Sequence, residues 1–196
     1  MTLPELAKLS VETYVKEKKI IEPPVGLPQE FLSRRAGVFV TIEKKLSGLP
    51  RSEPEVLLRG CIGTYLPTKI NIAEEIIHNA IAAATEDYRF GPLQKEELSY
   101  LTYTVYILGE PELIKDIKEL DPKKYGIIVK TAPIVSPNST DVVFDGHSPF
   151  KSGLLLPDLD GVDTIEQQIQ ICCQKGGISP EKEKIVIYRF ITEKYE

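Results

Sequence analysis

The sequence is short of the residues that most often carry catalysis. Its 196 residues include three cysteines and two histidines. None of them falls in a Cys-x-x-Cys, His-x-x-x-His or His-Glu-x-x-His spacing, so no metal site is expected. Two of the cysteines, Cys172 and Cys173, are adjacent, which argues against a disulfide framework. No uninterrupted apolar stretch approaches the roughly 18 residues needed to span a bilayer, and no membrane association is expected. The opening Met1-Thr2-Leu3-Pro4-Glu5 lacks the basic and apolar regions of a signal peptide. The net charge is −5, so the basic footprint of a nucleic-acid binder is missing overall, and aromatic and basic residues do not interleave. Gly60-Cys61-Ile62-Gly63 is too short for a phosphate loop and lacks its lysine–serine/threonine ending. These absences point to a cytoplasmic protein with thiols, and they identify no cofactor.

What is present is an ordinary globular composition, 42% hydrophobic and 27% charged. At this length it suits a single domain over residues 1–196, or one with two lobes. Thr2-Leu3-Pro4-Glu5 has the form of a capping box. It opens a helix to about Lys19, in which Leu3, Leu6, Ala7, Tyr14 and Val15 recur at helical spacing. Pro23, Pro24, Gly26 and Pro28 turn the next stretch into an irregular connector. Strands are predicted over 36–43 and 56–63, with a polar loop over 44–54 between them, and are expected to share a sheet.

Asn71 as cap and Glu74 at N3 then open the clearest helix, with Ile72, Ile76, Ile77, Ala80, Ile81 and Ala84 as its stripe. A helical turn over 94–99 and strands over 102–108 and 125–130 follow. Residues 131–149 read as a long loop with one short apolar run, a pattern that often marks a functional segment. A strand over 153–157, a helix opened by the capping pattern Asp163-Thr164-Ile165-Glu166 and running to about Lys175 before Gly176-Gly177, and an interior strand over 184–191 complete the order. Helices and strands that do not strictly alternate favour an α+β fold.

Leu58-Arg59-Gly60-Cys61-Ile62-Gly63 draws attention as a candidate site. Strand alternation places Leu58 and Ile62 on one face, and Arg59 with Cys61 on the other. A guanidinium about 6–7 Å along the strand from a sulfur would favour a thiolate or hold an anion, making Cys61 a candidate nucleophile. Gly60 and Gly63 would let a substrate, or another backbone, come close. The bland alternative is a small buried hydrophobe between packing glycines. Asp87 and Arg89 follow the central helix and would face a shared pocket, or serve that helix's end. His147, in Asp145–Pro149, is either a loop residue that swings toward a cleft or a plain turn residue. His78 reads as solvated, Glu97 as a surface carboxylate and Cys172-Cys173 as partly buried.

The hexapeptide resembles the signature of the AMMECR family, named for the Alport syndrome chromosomal region. Gly37–Thr41, the block Asp87, Arg89-Phe90, Pro92 and Glu97-Leu98, and the C-terminal Gly153–Pro157 with Lys175 and Gly177 match in order. The sequence is similar to protein A of the AmmeMemoRadiSam system, which stands beside a Memo-like and a radical SAM protein. The resemblance implies a two-lobed protein with a mostly antiparallel sheet flanked by helices. The larger lobe would come from both termini and the smaller from the middle. It supplies no reaction. Many relatives carry a tryptophan near the start of the C-terminal helix, where Val162–Ile165 stand here, and this chain has none.

Two functions are expected to compete. One is an enzyme or enzyme partner with a cleft around Arg59–Gly63. The other is a non-catalytic binding or scaffold module that uses the same strand as a recognition surface.

Overall fold

The computed structural model describes residues 1–45, 56–132 and 151–196. Most of the loops expected over 44–54 and over 131–149, the latter with its apolar run and His147, lie outside the described residues. The chain divides into two compact units, Met1–Leu108 with Glu193–Glu196, and Gly109–Thr192.

In the first unit, helix α1 (Leu3–Glu17) starts as its capping box dictates. The Glu5 N–H donates to the Thr2 hydroxyl, and the Thr2 N–H donates to the Glu5 carboxylate at 2.7 Å. It stops at Lys18, which adopts the left-handed conformation. A short helix, α2 (Gln29–Ser33), buries Phe31. The proline-rich composition around it concealed this helix, yet Pro28 is its N-cap.

Strands β1 (Val38–Lys45) and β2 (Val56–Thr64) form an antiparallel pair. Helix α3 (Ile72–Thr85) follows, capped by Asn71, whose side chain accepts the Glu74 N–H at 2.8 Å. A 3-10 helix (Lys95–Tyr100) leads into β3 (Leu101–Leu108), which pairs antiparallel with β1. Val38, Val40 and Ile42 of β1, with Val105 and Ile107 of β3, are completely buried in one core with the apolar faces of α1 and α3. Each such side chain contributes about 1.5–3 kcal/mol by leaving water.

The second unit holds β4 (Glu112–Leu113), β5 (Gly126–Thr131), β6 (Ser152–Leu155), helix α4 (Ile165–Gly176) and β7 (Ile185–Phe190). Its sheet runs β4-β7-β5-β6, so β7 is interior, as its two apolar faces require. Helix α4 is capped one residue later than the Asp163–Glu166 pattern implies, by Thr164 paired with Gln167, and ends at Gly177, φ 62°. It presses so closely on β6 that a Cβ at Gly153 would sit 1.9 Å from the Cys172 carbonyl oxygen. Cys172 and Cys173 are buried in this unit's core. The last strand, β8 (Thr192–Tyr195), was not evident in the sequence. It joins the first sheet, whose order is β2-β1-β3-β8. The whole is α+β, and every strand pair with a described register is antiparallel. Among the described residues no helix is long and apolar enough to cross a membrane.

Candidate functional site

Strand β2 is the edge strand of the first sheet, and its middle is not regular. Thr41 lies opposite Cys61 and Ile42 opposite Gly60, but Glu43 lies opposite Leu58. Arg59 is therefore the extra residue of a β-bulge. The bulge breaks the alternation that would have kept Arg59 and Cys61 on one face. Arg59 instead reaches Glu97 in the 3-10 helix with two parallel bonds, Nε to Oε1 and Nη2 to Oε2, both 2.9 Å. Its other donors reach the carbonyls of Gly91 (3.1 Å) and Pro92 (3.4 Å). Lys44 adds a third cationic bond to Glu97 at 3.1 Å.

The Glu97 carboxylate is thus well shielded, at 16% side-chain exposure, where a surface position was expected. The Arg59 bonds, aided by Lys44 and the Gln94 N–H, hold its pKa down at about 2 against the opposing effect of burial.

Gly60 and Gly63 both accommodate close neighbours. A Cβ on Gly60 would lie 2.2 Å from the Ala83 carbonyl oxygen of α3, and one on Gly63 would lie 2.3 Å from the Phe39 ring. The first approach brings the end of α3, and with it Asp87, against β2. There the Cys61 N–H donates to Asp87 Oδ2 at 2.9 Å, and Arg89 Nη2 donates to the Cys61 carbonyl at 3.4 Å. Arg89 also clasps Asp87 through Nε (2.9 Å) and Nη2 (2.7 Å). This pairing lowers the Asp87 pKa and raises that of Arg89.

Because the Cys61 N–H turns outward, Thr41 and Cys61 form a non-hydrogen-bonded pair, in which side chains come closest. The Thr41 hydroxyl donates to Cys61 Sγ at 3.3 Å. Thr104 lies opposite Thr41 on the next strand, so Cys61, Thr41 and Thr104 form one row across the outward face. Gly63, Phe39 and Tyr106 form the next row. Thr104 is buried, while Cys61, Thr41 and Tyr106 are half-buried. Burial raises the Tyr106 phenol's pKa, and Cys61 and Glu43 add to the rise.

The structure thus gathers Cys61, Gly60, Asp87 and Arg89 around one peptide, sends Arg59 to Glu97, and leaves His78 exposed on α3. Sequence reasoning missed Thr41, Lys44 and Glu75. Reading the β1–β2 register residue by residue would have found Thr41. Glu75 is completely buried on α3. It accepts bonds from the N–H groups of Thr68 and Lys69 and the hydroxyls of Thr64 and Thr68, at 2.7–2.9 Å. Burial is the largest single influence and raises its pKa, but these bonds together hold it below the ordinary value. They also fasten the β2–α3 loop. No group of three or more His, Cys, Asp or Glu side chains among the described residues is arranged to hold a metal ion.

Two α+β units, each built on an antiparallel sheet, with a bulged Leu58–Gly63 hexapeptide on the edge of the first, define a recognisable class of protein. The chain belongs to the AMMECR1 family, which it matches over residues 4–195. It is 46% identical to a protein of Thermotoga maritima over 186 residues, 95% of this chain and 92% of that one. A Clostridium acetobutylicum protein is 37% identical over 98% of this chain, but the match spans only 35% of that longer protein. The crystal structure of an uncharacterized protein from Pyrococcus horikoshii is similar, with a TM-score of 0.77 and 32% identity. That alignment covers 98% of this chain and 88% of that one.

Proposed function

We propose that the chain is a binding partner of other proteins, and that its recognition surface is the outward face of the first sheet around Cys61. The supporting observation is the use made of the charged groups near the thiol. Arg59 holds Glu97 and two carbonyls, and Asp87 with Arg89 holds the Cys61 peptide. They position backbone, and around the thiol the outward face presents half-buried Thr41, Cys61, Phe39 and Tyr106, with Glu43 in the adjoining row. Aromatic side chains with adaptable polar neighbours suit protein recognition. The family resemblance supports radical SAM and Memo-like proteins as the partners. The Clostridium relative supports a protein neighbour in general, because its matching region is joined to a much longer chain.

Calorimetric titration of the purified protein with a radical SAM protein and a Memo-like protein from the same genome tests this reading. Binding is expected at micromolar concentrations, weakened about tenfold or more by Tyr106→Ala and unchanged by Cys172→Ala, a change in the core of the second unit. The absence of binding to both proteins at about 50 μM would sink it.

One observation favours an enzyme instead. A hydroxyl that donates to sulfur, as Thr41 does to Cys61 at 3.3 Å, favours the anionic form of the thiol. Iodoacetamide labelling separates the two readings. Native Cys61 that reacts faster than in the unfolded chain at the same pH supports thiol chemistry, and slower reaction supports the binding module.

A further inference from the structure

The edge of β2 is closed by side chains at Cys61. Asp87 Oδ2 accepts the Cys61 N–H at 2.9 Å, and Arg89 Nη2 donates to the Cys61 carbonyl at 3.4 Å. The same two atoms are bonded to each other at 2.7 Å. An acceptor and a donor held side by side against one residue's N–H and C=O are what a residue of an added antiparallel strand presents. We propose that the Asp87–Arg89 fork stands in for a neighbouring strand and keeps β2 from pairing with the β2 edge of a second copy of this chain.

Two further observations carry this reading. Upstream on the same edge strand, Val56, Leu57 and Leu58 are 44%, 44% and 40% exposed. Three consecutive exposed apolar residues of strand-forming type on a sheet edge are a template for self-association, which folded proteins block with charge, bulges or cover. Here the bulge at Arg59 and the fork at Cys61 follow immediately, so among the described residues the edge ahead of them is Val56–Leu58. Three residues are at the lower limit of strand length, so this stretch alone makes a weak pair.

The fork is also firmly built. The N–H groups of Phe90 and Gly91 donate to the Asp87 carbonyl at 3.1 and 3.3 Å, and the Arg89 N–H donates to Asp87 Oδ1 at 3.2 Å. Gly91, at φ +68°, lets the chain leave this turn. Asp87 follows α3 directly, and α3 is seated on Gly60, so the fork is fixed relative to the edge it closes.

The experiment is sedimentation velocity on the full chain over a concentration series, with far-UV circular dichroism to establish folding. The Asp87→Ala/Arg89→Ala double variant is expected to self-associate about tenfold or more tightly than the parent protein. Adding Leu57→Lys should restore the parent behaviour, since a lysine on the exposed edge opposes strand pairing. A folded double variant that sediments as the parent does would overturn the proposal. So would association that Leu57→Lys leaves intact. If the double variant does not fold, Arg89→Gln carries the test, because it keeps the Asp87 bond to the Cys61 N–H. Its association, reversed by Leu57→Lys, supports the fork's role; parent-like sedimentation overturns it.

Discussion

Replacing Glu97 by glutamine should remove a pH-dependent share of the stability of the first unit. The carboxylate is held by both arms of Arg59 and by Lys44, and the Glu97 and Arg59 side chains are 16% and 14% exposed. Their contribution is therefore only partly screened by solvent. Its pKa falls from 4.5 to about 2 on folding, which corresponds to about 3 kcal/mol favouring the folded carboxylate. Because the folded pKa is the lower one, this stability is fully present above about pH 4.5 and is lost as the pH falls toward 2. By pH 3 about 1 kcal/mol of it remains. Urea denaturation of the parent and of Glu97→Gln at pH 7 and at pH 3 isolates the effect, since Asp87 and Glu75 titrate in both proteins and cancel in the difference. The gap should be about 3 kcal/mol at pH 7 and shrink by more than half at pH 3. An equal gap at both pH values would refute the assignment of Glu97 as the shielded anchor of Arg59.

Gly60→Ala should destabilise the protein by about 1–3 kcal/mol, read as a lower urea midpoint at unchanged slope, because its Cβ would meet the Ala83 carbonyl. A variant within about 0.5 kcal/mol of the parent would mean that α3 does not rest on β2 at this point. In the second unit, burial pushes the Cys172 thiol up to about 11 and raises Cys173 as well. Both should resist Ellman's reagent at pH 8 in the native protein and react once it is unfolded; rapid native labelling would contradict their burial.

The parts of the fold that were legible in the sequence are those set by short-range chemistry. Thr2 with Glu5, Asn71 with Glu74, and the Gly177 stop each act within a turn of helix, and the structure has all three. Strands β1, β2 and β3 were legible through their β-branched and aromatic content. Helix α2 and strand β8 were not, because neither has a pattern strong enough to stand alone. Helix α2 is held by the burial of Phe31, and Phe31 packs edge-on against Tyr195 of β8, two segments far apart in the chain. Tertiary packing, which a local pattern does not encode, makes both elements.

The site divides in the same way. Its location on the Leu58–Gly63 strand follows from the residues themselves, but the use of each residue depends on one backbone irregularity. A regular strand would place Arg59 beside the thiol, as period-two reasoning requires. One extra residue in β2 turns the guanidinium to Glu97 and leaves the thiol facing Thr41. Gly60 is a residue that strand bulges favour, but the hexapeptide alone does not say that Arg59 is the extra residue. The bulge becomes intelligible only with Glu97, 38 residues downstream, in place to receive the arginine. An arginine with five donors and little exposure takes the partner that supplies the most acceptors, and the Glu97 carboxylate with the Gly91 and Pro92 carbonyls offers more than a single sulfur. The arginine of the signature is therefore a fastener between the edge strand and the segment that follows α3. Among the described residues, Thr41 supplies a hydrogen bond to the Cys61 thiol that Arg59 does not.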